Sequence, residues 1–135
     1  MSSEFETIFV RLRRILQEHA GTFSVSRDAP DCYGLEGMTG SAAVEAWGGK
    51  VKRRTIPVAW VQIGKAYVSY HLMGIHGNGK LLEGMSKELK ARMQGKTCFN
   101  FKKNEEALFR ELEELTVEGL AAFKRAGYIA ENKST

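Results

Sequence analysis

The chain has 135 residues, 43% of them hydrophobic and 27% charged, with a formal net charge of +4. A chain of that length forms one domain and buries roughly two thirds of the surface its unfolded form exposes, so it needs no disulfide or metal staple. The composition excludes wholesale disorder, and so mild a positive charge argues against a dedicated nucleic-acid partner.

The two cysteines, Cys32 and Cys98, form no CxxC pair and have no zinc-finger spacing, which predicts a reducing compartment. No run approaches the roughly 18 apolar residues of a membrane-spanning helix. The acids near the start do not fit a signal peptide. The expectation is a cytoplasmic protein with no membrane partner.

In chain order, Ser3 and Glu6 have capping-box spacing. Phe5, Ile8, Phe9, Leu12, Ile15 and Leu16 then recur at the helical period, which predicts a helix over 5–17 closed by Gly21. Phe23 and Val25 alternate with polar residues, as in a half-buried strand over 22–27. A turn at 28–31 leads to a second strand over 32–38, weakened by Gly34 and Gly37. Residues 39–56 read as an irregular loop whose basic run (Lys50, Lys52, Arg53, Arg54) is a solvated surface, phosphate contact being the alternative.

Residues 57–73 predict a hairpin. A two-residue turn at Gly64–Lys65 pairs Ile63 with Ala66, Val61 with Val68 and Ala59 with Tyr70. Opposed residues share a face. Ala59, Val61, Ile63, Val68, Tyr70 and Leu72 therefore point to the core. Val58, Trp60, Gln62, Tyr67, Ser69, His71 and Met73 point the other way. The glycines of 74–79 break the pattern, Leu81, Leu82 and Met85 suggest a short helical piece, and Ser86 caps another. In the strand over 97–101, Phe99 and Phe101 face one side, Cys98 and Asn100 the other. Asn104 is the expected cap of a long helix carrying Leu108, Leu112, Leu115, Gly119, Ala122 and Phe123, with Gly127 at its end and a frayed tail over 130–135.

These elements predict an α+β two-layer sandwich over 1–135: a curved antiparallel sheet of about five strands with the N- and C-terminal helices on one face. The segments YVSYHLM (Tyr67–Met73) and LKARMQGKTCFNF (Leu89–Phe101), the following ALF and the AFKRAGY ending resemble the YdhG-like family of small bacterial proteins. Gly74 departs from that pattern, where a proline is expected. The resemblance implies the same sandwich fold and a comparison with frataxin-like iron chaperones.

The candidate chemistry centres on the outer sheet face. His71 carries an imidazole beside Trp60, Tyr67 and Ser69, and His76 lies nearby in sequence, but a metal needs a further ligand. Cys98 is a nucleophile only with a base and a lowered pKa. Gly77–Asn78–Gly79–Lys80 lacks full phosphate-loop spacing, because Leu81 follows the lysine. The acidic iron surface implied for the first helix is interrupted by Arg11, Arg13 and Arg14. Glu111, Glu114 and Glu118 form a solvated helix face able to gather hard cations only loosely. The expected function is non-enzymatic: an interaction domain using Trp60, Tyr67, Ser69, His71 and Cys98 to bind a small ligand or a second copy in a homodimer, with no cofactor and no metal. The alternatives are a frataxin-like iron-handling protein and a Cys/His enzyme.

Overall fold

The structure is a computed structural model, and it describes residues 3–39, 55–73, 83–95, 97–125 and 128–129. Helix α1 spans Ser3–Gln17. Strands β1 (Ser24–Ala29), β2 (Cys32–Thr39), β3 (Thr55–Ile63) and β4 (Val68–Leu72) follow. The short helix α2 (Lys87–Lys90) precedes β5 (Met93–Gln94) and β6 (Cys98–Phe101). Helix α3 (Glu106–Arg125) leads to β7 (Tyr128–Ile129). The expected irregular loop is shorter at both ends, since β2 takes in Thr39 and β3 takes in Thr55 and Ile56; the basic run, His76, the Gly77–Lys80 segment, Leu81, Leu82, Gly127 and the 130–135 tail lie outside the described residues.

The strands form one antiparallel sheet in the order β1-β2-β3-β4-β6-β5, with β7 pairing the end of β2. This is the expected α+β sandwich, with two more strands than expected. The additions, β5 and β7, are only two residues long, too short to leave a period-two signature.

The apolar stripe of α1 works as its spacing predicts. Ile8, Phe9, Leu12, Ile15 and Leu16 are all buried, at about 1.5–3 kcal/mol for each large side chain removed from water. Helix α1 packs on β2, β3 and β4. Gly21 has φ 105°, a conformation costly for any side-chain-bearing residue, and it turns the chain out of α1 towards β1. Helix α3 covers the same face and buries Leu108, Phe109, Leu112, Leu115 and Leu120. Phe109 meets Phe101 edge-to-face with ring centroids 4.9 Å apart. Gly119 lets the helix approach the sheet closely: a Cβ there would stand 3.3 Å from the Leu72 side chain.

The N-terminus of α3 differs from expectation. Glu105, not Asn104, precedes the first helical residue, and its carbonyl accepts from the amides of Leu108 and Phe109. The Asn104 amide instead donates to the Glu4 carboxylate at 3.2 Å. Three carboxylates in or just before α3 tie down other segments. Glu106 accepts from Arg11 of α1 at 2.9–3.1 Å. Glu105 accepts from Nε and Nη2 of Arg92, both at 2.7 Å. Glu111 accepts from the amide and hydroxyl of Ser86, each at 2.7 Å. Ser86 in turn caps α2 by accepting from the Leu89 amide. Glu111 is thus committed to Ser86 and does not act with Glu114 and Glu118 as a loose cation surface.

Strand β1 is the second departure. It starts two residues later than expected and is largely exposed, with Val25 at 44%. As the edge of the sheet it has a neighbour on one side only, so its alternation does not mark burial.

One polar network sits inside the core. The fully buried Tyr70 hydroxyl lies 2.6 Å from the Thr116 hydroxyl, which donates to the Leu112 carbonyl at 2.8 Å. With the Thr116 proton committed, Tyr70 is the donor. Burial pushes the Tyr70 phenol well above its ordinary pKa, only partly offset by Thr116. Thr116→Val strands a buried donor and should cost about 1–3 kcal/mol, whereas Tyr70→Phe, which leaves Thr116 bonded to Leu112, should cost about 1 kcal/mol or less. Urea unfolding of both variants checks the order.

The Arg92 hydrogen bonds hold the Glu105 carboxyl below the usual carboxylate range. A depressed folded pKa stabilises above the unfolded value, and that contribution disappears as pH falls through the folded pKa. Arg92→Gln should therefore lower stability by about 0.2–1 kcal/mol at neutral pH. The difference should shrink as pH falls below the ordinary carboxylate range, as measured by unfolding at neutral and at acid pH.

Candidate functional site

The β3–β4 hairpin sets the geometry of the outer face. The expected two-residue turn is a four-residue loop, and the pairing is Ile63 with Val68, Gln62 with Ser69, Val61 with Tyr70, Trp60 with His71 and Ala59 with Leu72. This register differs from the expected one by two residues. Side chains alternate with a period of two, so the slip leaves Ala59, Val61, Ile63, Val68, Tyr70 and Leu72 in the core, all buried. Val58 is a correction. It was expected outside but is fully buried, because β2–β3 pairing jumps from Leu35–Ala59 to Glu36–Pro57. The bulge that results puts the extra residue, Val58, on the core side.

Cross-strand pairing lines up one row over the outer face: Arg27, Gly34, Trp60, His71, Cys98 and Gln94. Gly34 is buried beneath its neighbours. A Cβ there would lie 3.0 Å from the Ser26 hydroxyl and 3.2 Å from the Trp60 Cβ, so glycine keeps room beside the indole. The Trp60 and His71 rings are stacked, with centroids 4.3 Å apart and 14° between planes. His71 Nε2 lies 3.8 Å from the Cys98 sulfur. The Cys98 thiol donates to Asn100 Oδ1 at 3.3 Å, and Asn100 Nδ2 donates to Gln94 Oε1 at 3.2 Å. Ser69 sits beside this line, half-buried between Gln62 and Asn100.

The structure therefore brings together four of the five sequence-predicted site residues: Trp60, His71 and Cys98 in contact, with Ser69 adjoining. Tyr67 is displaced. It belongs to the hairpin loop just before β4, is 37% exposed, and lines a cavity of about 620 Å³. That cavity is completed by Ala66, Ala91–Gln94, Asn100, Lys102, Lys103 and Glu105. It was not foreseen, since its walls come from three separated segments. Asn100 and Gln94 belong both to the cavity and to the hydrogen-bonded line from Cys98, so the two features are continuous.

Burial lowers the His71 pKa and raises the Cys98 pKa. Both shifts favour the neutral forms, the reverse of what a thiolate–imidazolium pair requires. The contact is thus between a neutral imidazole and a thiol. Cys32, half-buried on the same face opposite Gln62, is also raised by burial. Among the described residues, no three His, Cys, Asp or Glu side chains converge as metal ligands. Likewise no described helix is long and apolar enough to cross a membrane.

Because its folded pKa lies below the unfolded value of about 6.5, His71 weakens the fold as pH drops through that value, where the unfolded chain takes up the proton more readily. Its imidazole should titrate below ~6.5 by NMR, and in a Cys32→Ser background the Cys98 thiolate absorbance should rise above ~8.5. A Cys98 midpoint below ~7 with a His71 midpoint above ~6.5 would instead mark an activated nucleophile.

In comparisons with known proteins, no family model, no curated protein and no solved structure matches the chain.

Proposed function

We propose that this chain is a non-enzymatic binding domain of the YdhG-like kind, and that its outer sheet face receives a small ligand. The observation that carries this is the Trp60–His71 stack with Cys98 against its edge, on a face that α1 and α3 do not cover. A stacked pair held at sheet spacing presents a rigid flat surface, which loses little side-chain entropy on binding. The adjoining cavity of about 620 Å³ has the size of a small-molecule site.

A small ligand fits the face better than a second copy does. The row mixes Arg27, Gln94 and the neutral Cys98–His71 contact with a single large aromatic, and Gln62 beside it is exposed. The core of a stable dimer interface is more uniformly apolar. The iron-handling alternative is less well supported. Glu18, Glu106, Glu113 and Glu114 share the groove between α1 and α3 with Arg11, Arg14 and Arg110, and Arg11 already holds Glu106. The enzyme alternative draws on the Cys98–His71 proximity, but the direction of both pKa shifts opposes it.

The test pairs an NMR titration with light scattering. Indole, a neutral planar probe, should shift the amides of Trp60, His71 and Cys98, and Trp60→Ala should abolish that response. Trp60→Ala should destabilise the fold far less than Phe109→Ala, which should cost about 3–5 kcal/mol. A wild-type dimer that Trp60→Ala converts to monomer would replace the ligand with a second copy. A variant that melts as low as Phe109→Ala would make Trp60 a core residue and end the proposal.

A further inference from the structure

We infer that the cavity at the β6 end of the outer face selects small organic anions with a flat apolar body, such as aromatic carboxylates or phosphates. The inference rests on reading the outer face as a ligand surface, and it adds the ligand's chemistry.

The charge of the lining comes first. Arg92, Lys102 and Lys103 are its cations and Glu105 its carboxylate. Arg92 and Glu105 are already joined by two hydrogen bonds of 2.7 Å and neutralise each other. Lys102 and Lys103, both exposed just past the end of β6, supply the remaining positive charge. A ligand entering here meets a wall of net positive charge, three cations against the single carboxylate of Glu105, which Arg92 binds directly and Lys103 reaches only electrostatically. The Arg92–Glu105 pair also fixes the β5 side of the cavity to the start of α3.

The shape of the lining comes second. Tyr67 presents an exposed ring, and Ala66, Ala91 and Met93 give the walls an apolar component. A flat hydrocarbon body can lie against Tyr67 while its anionic group faces the lysines.

The polar groups between these walls are already aimed. Asn100 accepts from the Cys98 thiol through its oxygen and donates to Gln94 through its nitrogen. Its amide orientation is therefore set from the outer row before a ligand arrives. Such preorganisation lowers the entropy lost on binding.

The experiment is an NMR titration of the full chain with 2-naphthoate, with the neutral 2-naphthalenemethanol, and with inorganic phosphate. The expected result is saturable shifts at Tyr67, Asn100 and Lys102 with 2-naphthoate. Affinity for the alcohol should be about tenfold weaker, as should affinity for phosphate without the flat body. Lys102→Glu combined with Lys103→Glu should weaken 2-naphthoate by at least about tenfold, and the wild-type affinity should fall with added salt. Tyr67→Ala should weaken both naphthalene probes alike. Unchanged melting temperatures show that the variants remain folded. Equal binding of the acid and the alcohol would overturn the anion inference and leave the outer face as a ligand surface. Shifts confined to Trp60 and His71 would overturn the cavity assignment in the same way. Silence from these probes and from indole at every outer-face residue would overturn both.

Discussion

The structure depends on the packing of both long helices against one face of the sheet. Helices α1 and α3 pack on the same face: α3 is seated on the sheet through Phe109 against Phe101 and the close approach of Gly119 to Leu72, and Arg11 ties α1 to Glu106 of α3. Every core strand must therefore place its apolar residues on that face, and alternation sends their neighbours to the other. The outer row from Arg27 to Gln94 follows from this packing. Trp60, His71 and Cys98 are neighbours because Val61, Tyr70 and Phe99 are neighbours in the core, one residue along each strand.

The same one-sidedness explains where polar groups are placed. Among the described residues, the covered face holds the Tyr70–Thr116–Leu112 chain, in which each hydroxyl has a partner. On the outer face the groups are only partly buried, and they form a line of weak donors and acceptors from His71 to Gln94. Partial burial there keeps His71 and Cys98 neutral without requiring a charged partner.

Strong periodicity made the helices and both faces of the hairpin legible in the sequence. The six-residue stripe of α1 and the alternation of β3 and β4 each involve many residues that must agree. Parity also tolerated a wrong turn: a four-residue loop in place of a two-residue one moved the register by two and exchanged no faces. Features that depend on one or two residues were not legible. The bulge that buries Val58 is set by pairing with β2, not by anything within β3. Glu105 takes the position before α3 through its carbonyl while its side chain is held by Arg92, a contact across 13 residues. Tyr67 left the Trp60 cluster because it is the last residue of the loop. The cavity was hidden because the hairpin loop, the α2–β5 turn and the end of β6 meet only in three dimensions.

The central claim is that Trp60 stands on the sheet face opposite α1 and α3, beside His71. Nuclear Overhauser contacts of the Trp60 indole protons test it most directly. The account predicts contacts to the His71 ring and to Gly34, the neighbours that the pairing places on either side. Strong contacts from the indole to the methyl groups of Leu12, Ile15 or Leu112 would put Trp60 in the core and contradict the account.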